Sequence, residues 1–215
     1  MSSEKKQLLG NRKKGLLFVM SAPAGTGKTT LMQMLTREFP QVIQSISYCS
    51  RKPRSNEKDG VDYHFITEKE FEKKIKTADF LEYVRLYNDY YGTDKKWVEK
   101  QLSLGNHVFL VIDTQGAMKL KGCVNAIFIF IKPPSLEVLQ ERISKRSTDS
   151  PESIQKRMAW AEKELPFAKE YDYLIVNDDL ETAYQVLRSI VIAEDHHLMG
   201  SQDANKSIGS KIEKN

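Results

Sequence analysis

Ala22-Pro23-Ala24-Gly25-Thr26-Gly27-Lys28-Thr29 decides how this chain is read. It matches the phosphate-binding loop G-x-x-x-x-G-K-[ST] at every fixed position but the first, where Ala22 replaces Gly. Before it runs Leu16-Leu17-Phe18-Val19-Met20, a short apolar stretch that reads as a buried parallel strand. After it, Thr30 to Phe39 carry apolar residues at helical spacing and stop before Pro40. Strand, glycine-rich loop and helix in that order are the setting that turns a pattern into a site. Loop N–H groups and the positive end of the helix make a concave cradle for phosphates. Gly25 and Gly27 let the backbone bend, Lys28 can reach the outer phosphates, and Thr29 can place its hydroxyl on Mg²⁺. Ala22 costs little if its φ is negative.

The 215 residues suit one large α/β domain with insertions or two small ones. With 29% charged and 40% apolar residues, the composition is that of an ordinary soluble globular chain. A net charge of +4 suits an anionic small molecule better than a nucleic-acid groove. No apolar run approaches a membrane span, and the basic N-terminus lacks the apolar core of a secretory signal. Cys49 and Cys123 form no framework and fit a reducing cytosol, so a cytoplasmic protein with no membrane and no nucleic-acid partner is expected. Monomer and homo-oligomer are both compatible with these features.

Strands and helices alternate along most of the chain. Residues 108–113, 126–131 and 173–176 read as further strands, with helices from about residue 135 and over 180–196. Continuous apolar strands interleaved with helices predict a parallel sheet covered on both faces, with ligands at the C-terminal strand ends. Thr26, Asp113 and Asn177 all lie at such ends. Residues 45–100 break the rhythm and read as an inserted mixed subdomain, in which Thr67 and Glu70 form a possible capping box. Residues 135–165 form a second excursion with a helix start at Ser150-Pro151-Glu152. The expected layout is disordered tails at 1–14 and 199–215 around a domain at 15–198. Its core is 15–44, 101–134 and 166–198, its insertion 45–100 and its lid 135–165.

Other constellations surround the loop. Arg51-Lys52-Pro53-Arg54 holds two guanidiniums in a stiffened turn, able to grip a phosphate dianion with Tyr63 and Tyr91 adding hydroxyls. A solvated turn is the plainer alternative. Glu82 follows Phe80-Leu81; one carboxylate can accept the N1–H and 2-amino donors of guanine together, a pair adenine does not offer. Taken alone, Glu82 reads more readily as surface charge. Arg142 and Arg146 share a helix face and, with Arg157, could neutralise charge developing on a triphosphate; without the phosphate loop, an exposed basic helix would be an equal alternative. His196-His197 reads as a helix end rather than a metal site, because adjacent residues face different ways.

The motifs S-A-P-A-G-T-G-K-T, S-I-S-Y-C-S-R-K-P-R, D-G-V-D-Y-H-F, F-L-E-Y, Y-Y-G-T, I-D-T-Q-G and L-I-V-N-D-D, with the Arg-rich stretch, cover residues 15–198. In them the chain resembles the guanylate kinases of bacterial type. That resemblance implies a P-loop nucleoside-monophosphate kinase fold, a parallel sheet flanked by helices with an inserted mixed GMP-binding subdomain and an Arg-rich helical lid. It implies phosphoryl transfer from ATP–Mg²⁺ to GMP, recycling GMP into guanine nucleotide pools. It places GMP contacts at Ser47, Arg51, Arg54, Tyr63, Glu82, Tyr91, Gly92, Thr93 and Asp113. ATP contacts fall on Ala22, Pro23, Ala24, Gly25, Thr26, Gly27, Lys28, Thr29 and Asn177. Catalytic roles fall on Lys28, Arg142, Arg146 and Arg157, and the Mg²⁺ contact on Thr29.

One departure stands out. The family commonly has Asp-Ile-Asp where this chain has Val111-Ile112-Asp113, so the first acid is missing. Two rival readings follow: a kinase-like binding module without activity, favoured only by Val111, or a kinase for another acceptor. Lys28, Thr29 and the arginines speak against the first, and Glu82, Thr93 and Asp113 together speak for guanine.

Overall fold

The apolar run after Gly15 is wholly buried, as a strand covered on both faces must be. The computed structural model describes residues 8–10, 12–86, 88–146 and 151–198. In it β1 (Leu17–Ser21) leads through the loop into α1 (Lys28–Glu38) and β2 (Val42–Gln44). The chain then forms β3 (Tyr48–Cys49), β4 (His64–Phe65), α2 (Glu68–Lys76), β5 (Phe80–Leu86), β6 (Asp89–Asp94) and α3 (Lys95–Ser103). It returns through β7 (His107–Val111), α4 (Thr114–Leu120), β8 (Ile127–Lys132), α5 (Leu136–Arg146) and α6 (Pro151–Glu164). A 3-10 turn (Leu165–Glu170), β9 (Tyr173–Val176) and α7 (Leu180–His196) complete it.

Five strands make one parallel sheet in the order β2-β7-β1-β8-β9. The chain winds away from β1 on both sides, so the crevice beyond the C-terminal ends of β1 and its neighbours is the natural ligand site. Successive β1 side chains enter opposite cores. Phe18 and Met20 join Leu31, Leu35, Phe109 and Leu187 on one face; Leu17 and Val19 join Val98, Leu110 and Phe130 on the other. A separate mixed sheet, β4-β3-β6-β5, is built from the region read as an insertion. Its helix α2 starts with the expected capping box: Glu70 N donates to Thr67 Oγ1 at 3.2 Å and Thr67 N to Glu70 Oε2 at 2.8 Å. Among the described residues no helix is long and apolar enough to cross a membrane.

Three boundaries differ from the sequence reading. The insertion drawn at 45–100 cuts through α3, whose Val98 and Leu102 are buried in the main core, so this amphipathic helix belongs with the parallel sheet. β7 ends at Val111, and Asp113 instead caps α4, accepting from Gly116 N at 2.9 Å. The lead-in read as disordered over 1–14 is packed at its inner end. Leu9 is buried in the core cluster that includes Leu187 and Val191 of α7, because an apolar side chain finds cover there. Gly10 N donates to Asp195 Oδ2 at 2.5 Å, and Arg12 Nη1 donates to Asp195 O at 2.5 Å. Residues 1–7, Arg142's neighbours 147–150 with the expected cap Ser150, and the tail 199–215 lie outside the described residues.

His107 completes this clasp. Its Nδ1 accepts from Leu16 N at 3.0 Å, which leaves the proton on Nε2, 3.0 Å from Asp195 Oδ1 but off the line of a hydrogen bond. Burial pushes the imidazole pKa down against the pull of Asp195. Asp195→Ala strands the Gly10 N–H and removes the buried carboxylate that lies against the imidazole. We expect it to cost about 2–3 kcal/mol of stability, read as a lower midpoint in thermal unfolding, with substrate KM values at parental levels. An unchanged midpoint would refute the clasp.

Candidate active site

The loop after β1 needs its glycines where the backbone turns left-handed. Gly25 has φ 90° and Gly27 has φ 93°. Ala22 is not among the residues with positive φ, so the alanine at the first loop position carries no backbone strain. Gly27 is also the N-cap of α1, with no side-chain cap, which leaves first-turn N–H groups facing the loop. A Cβ on Gly27 would stand 2.4 Å from Asn177 Nδ2. That amide is buried just past β9 and donates to Thr26 O at 2.7 Å. Thr26 Oγ1 in turn donates to Pro23 O at 2.9 Å. Asn177 therefore braces the loop's backbone from the far edge of the sheet.

Lys28 Nζ donates to Ala22 O at 2.6 Å and Pro23 O at 3.0 Å, curled back over the loop. Withdrawal from water pushes its pKa down to about 8, with Glu164 and then Asp113 pulling the other way. Thr29, next along, is exposed in the first turn of α1.

Beside the loop, a cavity of about 250 Å³ lies between the end of β7 and the mixed sheet. Eight of the nine residues expected around the acceptor line it: Ser47, Arg51, Arg54, Tyr63, Glu82, Tyr91, Gly92 and Asp113. Val84, Leu86, Val111 and Ile112 supply its apolar wall. Thr93 is the exception. It is fully buried behind Glu82 and donates from Oγ1 to Glu82 Oε1 at 2.7 Å.

The polar lining falls into two groups. In the first, Arg51 Nε donates to the Tyr91 hydroxyl at 3.1 Å, and its Nη1 and Nη2 donate to Glu57 Oε2 and Oε1 at 2.6 and 2.7 Å. The Tyr63 ring lies 5.2 Å from the guanidinium carbon. Arg51 holds the Glu57 carboxyl down at about 2, and burial pushes the Tyr91 phenol up to about 12. In the second group, Glu82 is buried, and desolvation raises its pKa to about 7 against the Thr93 hydrogen bond, with Asp113 adding to the rise. Burial also raises Asp113, whose Oδ2 is buried without a partner while Oδ1 accepts from Gly116 N. Two carboxylates thus share one apolar pocket. Gly116 permits their approach: a Cβ there would stand 2.8 Å from Glu82 Oε2 and 3.1 Å from Asp113 Oδ1.

Helices α5 and α6 approach from the other side. Arg142 Nη1 donates to Asn177 O at 2.8 Å and Nη2 to Asp178 O at 3.2 Å. A Cβ on Gly25 would stand 3.0 Å from Ile143 Cγ1, so α5 packs directly on the loop. Arg157 is half-buried on α6, while the Arg146 side chain lies outside the described residues.

Sequence reasoning missed Glu57, Gly116 and Glu164. Glu164 ends α6, buried, and accepts from Thr114 Oγ1 at 3.3 Å. Burial raises its pKa to about 7 while Lys28 pulls it down. A glutamate six residues after Arg51 in the same turn is a signal for Glu57. Glu164 and Gly116 have none, since their partners come from other elements.

Comparison with known proteins covers most of the chain. The sequence model of the family described as guanylate kinase matches residues 14–194. The chain is 62% identical over 192 residues to a guanylate kinase of Protochlamydia amoebophila, covering 89% of this chain and 98% of that one. It is 46% identical over 181 residues to a guanylate kinase of Nitrosospira multiformis, covering 84% and 86%. Its fold matches the crystal structure of guanylate kinase from Anaplasma phagocytophilum with a TM-score of 0.70 at 30% identity, covering 86% of this chain and 88% of that one.

Proposed function

The chain belongs to the guanylate kinase family, and from that premise we infer that it transfers a phosphoryl group from ATP to GMP, giving ADP and GDP. One observation carries the assignment of its site. A pair of buried carboxylates and a guanidinium–tyrosine group line a single cavity next to a phosphate loop. Guanine brings two adjacent donors, N1–H and the 2-amino group. Ionised Glu82, held by Thr93, and the open Oδ2 of Asp113 accept them. The phosphate of GMP then lies against Arg51, Arg54, Tyr63 and Tyr91, with Ser47 beside it.

ATP takes the loop from Ala22 to Thr29. Lys28 exchanges the loop carbonyls for phosphate oxygens, and Asn177 acts by holding Thr26 O. The chain's part in the transfer is positioning and charge. Its own groups bind both anions, and the arginines at 142, 146 and 157 gather round the transferring group as α5 and α6 close. Water is kept out, and the acceptor oxygen lies in line with the bond that breaks. The donor set also fits Mg²⁺. The Thr29 hydroxyl sits at the start of α1, and among the described residues no group of three or more His, Cys, Asp or Glu could hold a metal. The Thr29 hydroxyl would hold the ion beside bound ATP, where it would supply charge that neutralises the phosphates. Free Cys49 and Cys123 support a cytoplasmic location.

Purified protein is given ATP–Mg²⁺ with AMP, CMP, UMP, GMP or no acceptor. ADP should form with GMP alone. Turnover with AMP at a comparable rate would overturn the assignment of Glu82 and Asp113 to guanine, and no turnover with any acceptor would overturn the transfer itself.

A further inference from the structure

The guanidinium expected to grip the acceptor's phosphate is already largely committed. Arg51 has five N–H donors. Nε spends its one on Tyr91, Nη1 spends two on Glu57 Oε2 and Lys52 O, and Nη2 spends one on Glu57 Oε1. One N–H on Nη2 is left for a ligand. A two-point grip by Arg51 is thus excluded in this arrangement, and the carboxylate responsible is Glu57.

Such a carboxylate can play two opposite parts. It can be a stand-in for phosphate, displaced when the acceptor binds, or a fixed strut that aims Arg51. The two predict opposite effects of its removal. The surroundings favour the strut. Glu57 is tied to the main chain of the same turn as well as to the guanidinium: Arg54 N donates to Oε2 at 2.9 Å, and Glu57 N donates to Arg54 O at 3.0 Å. A displaceable stand-in would need only the guanidinium. The side chains of both partners are largely withdrawn from water, at 13% and 16% exposure, so releasing Glu57 would leave a poorly hydrated cation. Arg54, by contrast, has a side chain 69% exposed and only a loose 3.9 Å approach to Glu57 Oε1, so its donors stay available.

We propose that Glu57 is a positioning residue, which holds Arg51 in the single orientation that presents its remaining N–H to the acceptor's phosphate while leaving Arg54 to supply the forked contact. The inference rests on the reading that GMP's phosphate lies in this cavity. It goes further by naming the group that sets phosphate affinity without touching the substrate.

The test measures binding of GMP and of guanosine, which lacks the phosphate, to the parent, to Glu57→Gln and to Glu57→Asp. Glu57→Gln should weaken GMP binding at least about tenfold, the weight of a charge-assisted contact, and leave guanosine binding and the KM for ATP within about twofold. Glu57→Asp keeps the charge with a shorter reach and should fall between. Unchanged or tighter GMP binding in Glu57→Gln would overturn the proposal in favour of the stand-in. A parallel loss of guanosine binding would overturn it in favour of general damage to the cavity. If the parent itself bound GMP no better than guanosine, the placement of the phosphate would fail, and the inference with it.

Discussion

Lys28→Ala should lower the rate of ADP formation with GMP by at least about 10³-fold, since one preorganised cation aimed at the transferring group carries that much of the barrier. The alanine variant keeps Gly25, Gly27 and the start of α1, so the loop keeps its shape. The carbonyls that Lys28 now caps, Ala22 O and Pro23 O, lose one donor. Glu164 loses the cation that pulls its raised pKa down and takes up a proton more readily. Folding should therefore survive while transfer does not. The measurement is steady-state turnover beside a thermal melt, and a rate near the parent's would sink the loop assignment.

The second large effect is on the acceptor. Glu82→Gln should raise the KM for GMP about 100-fold and leave that for ATP within about twofold, because a glutamine can turn an NH₂ donor toward a guanine donor where the carboxylate only accepts. Comparable effects on both substrates would refute a guanine-reading role. The same residue gives a pH signature. Its pKa stands at about 7 in the fold, above its ordinary 4.5, chiefly through burial. GMP affinity should thus fall as pH drops through about 7 and the carboxyl takes up a proton, while ATP affinity changes little. Stability runs the other way. A group with a raised folded pKa contributes stability that is fully present below about 4.5 and lost as pH rises through 7. At pH 8 the parent holds an ionised carboxylate in an apolar pocket, and Glu82→Gln should melt no lower than the parent there.

The parts of this site that were legible in the sequence are those with local causes. A phosphate loop is eight adjacent residues between a strand and a helix, and a capping box is a four-residue pattern, so both could be read directly. That the core strands run parallel follows from apolar runs alternating with helices, but their order, with β7 and β8 on either side of β1 and the short β2 at one edge, comes only from the fold. Glu82 shows the limit. Alone it read as surface charge, and only the register that brings it beside Thr93, and the fold that brings it to Asp113, makes it a buried acid. Family resemblance alone points to Asn177 on the adenine side, and nothing in the sequence shows that its amide spans 151 residues to hold the loop. Glu164 and Gly116 could not be read at all. Nothing in their own segments marks them, and their meaning comes from the tertiary approach of Lys28, Thr114 and Glu82. The lead-in failed for a related reason. One leucine among polar residues is a weak pattern until α7 offers it cover.

The central place of β1 also fixes when, during synthesis, the protein can begin to work. β1 leaves the ribosome early, yet its neighbours are far downstream: Leu17 pairs with Val108, and Phe18 with Ile127. The brace on Thr26 waits for residue 177, and the cover over Leu9 waits for α7. A nascent chain halted midway holds the eight-residue phosphate motif but neither flank of its strand nor the amide that steadies its backbone. Contacts this distant make folding slow relative to local structure. Nucleotide capture is therefore a property of the finished polypeptide, acquired only when its last quarter has been made.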